Sequence, residues 1–362
     1  MDFSYSDEQR MLADTLERLV ADASGDAATS PALWRTFAEL GLLQLPFAEE
    51  LGGLGGDGID VMIVMQALGS GLVRAPYLAG LLLPGVILAR LADSAQRERW
   101  LTPLLAGEHR LAMAWQEAAS RYDAHSIGAR ARRQADGWVL DGTKQGVLAA
   151  EAADALVVTA KLDDDSLGAF LVPSDSRGLA RRDYATIDDW IASDVQLDSV
   201  VLPIDAHLGG DASEALDAAL ALGRAALCAE AVGAMQVACD QTLAYLKERR
   251  QFGAPLASFQ VLQHRMVDMH LNLEQARSMA ILAAASLERP ASERDYRISA
   301  AKAYCGEAAR FVAEQAIQLH GAMGMTEECQ VSRYARHLVM FDHHLGDVDH
   351  HLECVSERLT AA

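Results

Sequence analysis

Apolar positions in the first hundred residues recur at helical spacing and are broken at short intervals. Ser6-Asp-Glu-Gln9 reads as a capping box, in which the Ser hydroxyl accepts from an early helical N–H and Gln9 reaches back. Ser30-Pro31 repeats the start signal, with Ser at the N-cap and Pro at the first helical position. Leu33, Phe37 and Leu40 then follow at helical spacing. From about Leu111 the period shortens. Gly137-Trp-Val-Leu-Asp-Gly142 is an apolar strand closed by Asp-Gly, a hairpin signal. Residues 155–159, 169–172 and 195–202 read as further strands between polar clusters, and strand content ends near Pro203. After about Ser213 the pattern is helical again, over 214–250, 259 to about 288 with Ser258 as N-cap, 292–320 and 347–359. Long helices with short connections predict an antiparallel bundle. The chain therefore reads as mainly α with a central β domain. A helical domain over 1–110 precedes a β-barrel or sandwich over 111–207, and a four-helix bundle fills 208–362.

Composition narrows the classes. A chain of 362 residues that is 51% hydrophobic buries a large core in two or three domains. A net charge of −20, from 51 acidic and 31 basic residues, excludes a non-specific nucleic-acid binder, which needs a cationic face. It leaves room for an anionic ligand, because local Arg clusters set the field such a ligand meets. Cys228, Cys239, Cys305, Cys329 and Cys354 show no C-x-x-C spacing and read as reduced thiols. The acidic, polar start is unlike a signal peptide, and no apolar run of about 18 residues predicts a membrane span. These features predict a cytoplasmic protein. Gly53, Gly55 and Gly58 form a literal G-x-G-x-x-G, but no strand precedes it, so it reads as a helix–helix loop.

Two segments carry candidate chemistry. Arg249-Arg-Gln-Phe-Gly253 ends a long helix, where a guanidinium can fork onto a pyrophosphate and a Phe can face a planar ring. A plain helix C-terminus with basic residues and a terminal Gly has the same composition. Gln318-Leu-His-Gly-Ala-Met-Gly324 offers small residues that admit a ligand close to the backbone, or simply a Gly-rich break between helices. The last segment holds His343, His344, His350 and His351 beside Asp342, Asp347 and Asp349. Asp347 and His351 stand four apart, but no second pair is spaced alongside, so the reading is a surface- or interface-facing His cluster with no metal.

Arg249-x-x-Phe-Gly followed by Pro255-Leu and Phe259-Gln260, with Gln318-Leu-His-Gly further on, resembles the acyl-CoA dehydrogenase family, and the resemblance spans the whole chain. It implies FAD as cofactor, an acyl-CoA thioester as substrate and electron-transfer flavoprotein as electron acceptor. By the same resemblance, Arg249, Gln251, Phe252 and Gln260 hold the flavin nucleotide of a neighbouring subunit. Gln318, Gly321 and Ala322 meet its adenosine part, with Ala322 in place of a second glycine. The β domain departs from the family. Gln116-Glu-Ala-Ala-Ser-Arg-Tyr-Asp123 replaces Thr-Glu-Pro-x-x-Gly-Ser-Asp, and Lys144-Gln-Gly-Val-Leu148 replaces Lys-x-Trp-Ile-Thr. Gly146 and Leu148 therefore stand where Trp and Thr would wall and hydrogen-bond the flavin.

The deepest departure is at the base. Where the family has aromatic-Glu-Gly-Thr, this chain has His344-Leu-Gly-Asp347, so Leu345 stands where the α-proton acceptor is expected. The alternative family position for that Glu matches Gly223. Asp347 and Glu230 are the nearest carboxylates. The ending from Gly346 to Leu352 and Ser-Arg-Tyr-Asp in the β domain are similar to small subunits of two-component members of the pimeloyl-CoA dehydrogenase type. Related heteromers act on dicarboxyl- and steroid-side-chain CoA esters. Three readings follow: a dehydrogenase subunit working in an α2β2 heteromer, a non-catalytic partner completing a sister subunit's FAD site, and a homo-oligomeric enzyme using Asp347.

Overall fold

The Ser6–Gln9 capping box forms as its residues require. The Ser6 hydroxyl accepts from the Gln9 N–H at 3.1 Å, and Gln9 Oε1 accepts from the Ser6 N–H at 3.2 Å, opening α1 (Asp7–Asp22). The computed structural model describes residues 5–22 and 31–360, so the expected Ser30 cap lies outside the described residues, and α2 (Pro31–Glu39) begins at Pro31. The Gly53–Gly58 run is the loop into α3 (Gly58–Gly71), capped by Asp57, whose carboxylate accepts from the Ile59 and Asp60 N–H groups. A Cβ on Gly53 would overlap the Phe47 carbonyl, so its glycine is a packing requirement.

The chain divides into two compact units, each drawn from separate stretches: residues 31–56 with 75–223, and residues 1–30, 57–74 and 224–362. In the first, α4 (Leu83–Leu91), α5 (Ser94–Gln96) and α6 (Thr102–Leu105) follow a π-helical turn over Tyr77–Leu82. Tyr77 is fully buried, meets Phe37 edge-on at 6.2 Å and donates its hydroxyl to the Leu42 carbonyl at 2.9 Å. The strands are β1 (Leu111–Ala114), β2 (Arg130–Gln134), β3 (Gly137–Leu148), β4 (Ala155–Lys161), β5 (Leu167–Pro173), β6 (Leu179–Ala185), β7 (Ile191–Pro203) and β8 (His207–Leu208). They form one sheet in the order β6-β7-β3-β2-β4-β5-β8, with β1 parallel to β4. The expected turn at Asp141-Gly142 is not there. Strand β3 runs through it, Gly142 sits at an irregularity in the β3–β7 register, and the Asp141 carboxylate accepts from the Ser199 N–H across that ladder at 2.8 Å. The chain reverses instead between β2 and β3, around Ala135-Asp136.

The second unit is built on the later part of α7 (Ser213–Glu248), with α8 (Gln260–Ala284), α9 (Ala291–His320), α10 (Gln330–His343) and α11 (Val348–Thr360). Helix α8 packs on α9, and α9 on α10 and α11. Helix α8 begins after Phe259, not after a Ser258 cap, because the Ser258 hydroxyl donates to the Pro255 carbonyl in a local turn at 2.7 Å. Helix α3 crosses α7 at two glycines: a Cβ on Gly69 would overlap the Glu230 carbonyl, and one on Gly233 the Gln66 carbonyl. Helix α7 is long and apolar enough to cross a membrane by length and hydropathy, but 89% of its most apolar window is buried, as in a core helix.

Candidate functional site

The two segments expected to meet a nucleotide lie at one end of the helical unit. The Arg249 N–H still donates to the Tyr245 carbonyl at 2.8 Å, one residue past the end of α7. A hairpin follows, β9 (Arg250–Gln251) against β10 (Ala254–Pro255), with Phe252 at φ 54° and Gly253 at φ 80° in its turn. A left-handed backbone strains a Phe by roughly 1–2 kcal/mol. The strain brings no burial within the chain: the ring is 92% exposed and meets Phe259 edge-on at 6.2 Å. One face of the ring is left open to solvent. Arg249, Gln251 and Gln260 are exposed beside it in sequence.

The second motif closes α9. Gln318 is exposed in its last turn, Gly321 lies at φ 64° with open space where a Cβ would stand, and Ala322 is exposed. Tyr245 stacks on His320 at 4.4 Å and 22°, and its hydroxyl donates to the His320 carbonyl at 3.4 Å. That pair ties the ends of α7 and α9, so the structure brings the two motifs to the same end of the bundle. Forked cation, exposed ring, amides and open glycine fit the pyrophosphate and adenine of a dinucleotide.

In the β-containing unit the matching segments are turned to structural work. The Glu117 carboxylate accepts from the Gly128 N–H at 2.7 Å, from the Ala129 N–H at 3.1 Å and from Lys144 Nζ at 2.7 Å. Lys144 is fully buried and also reaches the Trp115 carbonyl at 3.2 Å and Thr159 Oγ1 at 3.3 Å. Burial pushes Lys144 down to about 8, opposed by Glu117. Burial pushes Glu117 up, but Lys144 and the two backbone N–H groups outweigh it and hold the carboxyl below its usual range. Beyond this pair, Gly146 is exposed and left-handed with open space around it, and Leu148 is half-buried. Neither carries a side-chain donor for a flavin ring.

The pair gives a stability prediction. Glu117→Gln leaves a buried cation poorly compensated and is expected to cost about 3–5 kcal/mol. The double variant with Lys144→Met should recover part of that loss in denaturant titrations. Because the Glu117 value is depressed on folding, its contribution is fully present above the ordinary Glu value of about 4.3 and is lost as pH falls through the lower folded value. The gap between wild type and Glu117→Gln should therefore narrow below about pH 4.

The turn expected to carry a base is built from every side except that of the side chain in question. Leu345 follows α10 and the capping residue His344, is half-buried and lies at φ 56°. Its carbonyl accepts from Arg224 Nε at 3.0 Å and stands 3.2 Å from His351 Nε2. The fully buried Lys302 Nζ donates to the carbonyls of Gly346 at 2.8 Å, Phe341 at 3.1 Å and Asp342 at 3.4 Å. Asp342 Oδ1 accepts from the Val348 N–H at 3.1 Å, and Asp342 Oδ2 from Arg310 Nη2 at 2.6 Å. Gly306 on α9 lets this turn approach, since a Cβ there would stand 2.7 Å from Asp342 Oδ1. A Leu side chain at the centre of this frame accepts no proton.

Asp347 and Glu230, the alternative carboxylates, are differently placed. Asp347 Oδ1 accepts from the His350 N–H at 2.9 Å and caps α11. Glu230 is buried on α7 with its Oε1 3.6 Å from His337 Nε2. Gly223 is buried within α7. The His cluster corrects the surface reading in one member: His343 is exposed, His344 and His350 are half-buried, and His351 is fully buried. Sequence reasoning missed Lys302 and the Glu230–His337 pair. The available signal was a charged residue within an Ala-rich apolar face.

Comparisons with known proteins agree over the full length. The chain matches the acyl-CoA dehydrogenase N-terminal domain over residues 6–108, the middle domain over 112–200 and the C-terminal domain over 213–360. It is 31% identical to the probable acyl-CoA dehydrogenase YngJ of Bacillus subtilis, with 93% of each chain covered. Among solved structures it is similar to a glutaryl-CoA dehydrogenase from Mycobacterium smegmatis in complex with FADH2, at 25% identity and TM-score 0.90 over 99% of this chain and 96% of that one. It is also similar to the Tcur3481–Tcur3483 steroid ACAD, at 27% identity and TM-score 0.87 over 98% of each.

Proposed function

The chain belongs to the acyl-CoA dehydrogenase family, whose members bind FAD, and on that premise we propose that it works as one subunit of a heteromeric dehydrogenase, lending nucleotide contacts to a sister subunit's FAD site. The observation that carries this reading is the contrast between two parts of the helical unit, the segments that close α7 and α9 and the turn that follows α10. The nucleotide-facing end keeps its Arg, Gln and exposed Phe, while the base turn keeps its frame and holds Leu345. FAD, when bound, supplies the acceptor for the hydride that leaves the thioester β-carbon. The chain's own part is to bind and orient: Arg249 would hold the pyrophosphate, Phe252 would meet a ring, and Gln251, Gln260 and Gln318 would offer amide N–H groups. The α-proton goes to a carboxylate on the sister chain, because neither Leu345 nor Gly223 accepts one. The steroid ACAD named for two components supports the heteromeric arrangement. In this reading the assembly is α2β2, acts in the cytoplasm on an acyl-CoA and passes electrons to an electron-transfer flavoprotein.

Arg249→Ala tests the binding role. Loss of one charge-assisted contact to pyrophosphate is worth about 1.5–3 kcal/mol, or roughly 10–150-fold in FAD retention. The readout is flavin absorbance per assembled complex after gel filtration. Undiminished flavin in that variant contradicts the proposed contact.

A further inference from the structure

Helix α11 carries a cluster that the dehydrogenase reading leaves unused. His350, His351 and Cys354 each offer one ligand atom, and those three atoms lie within 4.8 Å of one another. The His350 Nε2 to Cys354 Sγ distance is 3.7 Å, close to the edge of a tetrahedron drawn around a zinc-sized ion at about 2.0–2.3 Å from its ligands. The i, i+4 spacing on a helix produces this approach.

His351 adds an independent observation. Its ring is fully buried, and Nε2 stands 3.2 Å from the Leu345 carbonyl, which only accepts, so Nε2 carries the ring proton. Nδ1 then carries a bare lone pair, and it is buried with no hydrogen-bond partner. A buried acceptor without a donor costs about 1–3 kcal/mol unless something else occupies it. An imidazole whose other N–H is held by a backbone carbonyl has the outer-shell arrangement typical of metal-ligating histidines. Gly346 permits it, since a Cβ there would collide with the rings of both His350 and His351.

We propose that His350, His351 and Cys354 form a site for a thiolate- and imidazole-liganded divalent cation of the zinc class. Binding replaces the Cys354 S–H bond by a metal–sulfur bond and releases that proton to solvent, with no change of oxidation state. His350 and Cys354 are half-buried, so water completes the coordination. Arg224 and Lys302 near the cluster oppose a dication. The new thiolate, with Glu353 and Glu357 on the same helix, offsets them. All three ligands lie on α11, so the bound ion would fix the His351 ring and, through it, the existing Nε2–H contact to the Leu345 carbonyl.

Chelator-treated full-length chain, alone and assembled, is titrated with Co2+ and then Zn2+. The expected result is one Co2+ per chain with a thiolate-to-cobalt absorption band, displacement by Zn2+ and a raised Tm. Cys354→Ser, at a half-buried position, should keep the fold, abolish the band and weaken binding by about 10²-fold or more. Cys329→Ser should change neither. Absence of saturable cobalt binding, or a band unchanged in Cys354→Ser, overturns the proposal.

Discussion

Purified alone, the chain should turn over acyl-CoA thioesters about 10²–10⁴-fold more slowly than its complex with a sister subunit that carries the missing Glu. A general base in position is worth that factor, and neither Leu345 nor Gly223 accepts a proton. Adding the sister should restore turnover even though no residue of this chain changes. Asp347→Asn then separates the rival readings. Asp347 caps α11 through the His350 N–H, and Asn caps nearly as well as Asp. In the heteromer the variant should therefore alter stability by a few tenths of a kcal/mol and leave turnover intact. A homo-oligomeric enzyme using Asp347 would instead lose its activity on that substitution, and the isolated wild type would be active.

Lys302→Met is expected to be the most damaging single change near the turn. The side chain keeps its length but no longer donates to the carbonyls of Phe341, Asp342 and Gly346, all held inside the fold. The Phe341 carbonyl keeps the His344 N–H at 3.2 Å, but those of Asp342 and Gly346 lose their Lys302 donor, at about 1–3 kcal/mol for each buried acceptor left bare, and relief from burying a charge offsets part of the sum. A net loss of about 2–4 kcal/mol in denaturant titration is expected. Amide exchange should accelerate at Val348 and His350, whose N–H groups depend on Asp342 and Asp347 at the same turn. Unchanged exchange there would mean that Arg224 and His351 hold the turn without Lys302.

Most of the helical half was legible because its signals are local, but α10 was not expected, since its sequence has no Ala- or Leu-rich run. Ala- and Leu-rich runs set α7, α8 and α9 within a few residues, and the Ser6–Gln9 box formed as read. The β region was less so. Strands β2 and β6 are Arg-rich and largely exposed, without the apolar alternation that marks a strand. Asp141-Gly142 carries a hairpin's composition, but Asp141 is held across the β3–β7 ladder and the chain passes straight on. The position of the two segments expected to meet a nucleotide was legible because they are contiguous and lie at helix ends. The buried charges were not: Glu117 meets Lys144 across 27 residues, and Lys302 meets the Leu345 turn across about 40, distances over which only packing decides partners. His351 was misplaced for the same reason, since a run of His and Asp reads as surface until a helix turns one ring inward.

Flavin stoichiometry with substrate reduction separates a heteromeric enzyme from a homo-oligomeric one. The assembled complex should hold one FAD per pair of unlike chains, and anaerobic addition of acyl-CoA should bleach all of it in a single phase, while the isolated chain bleaches none. Two FAD per pair, both reduced by substrate, or bleaching by the isolated chain, would rule out a partner that lends contacts without its own base.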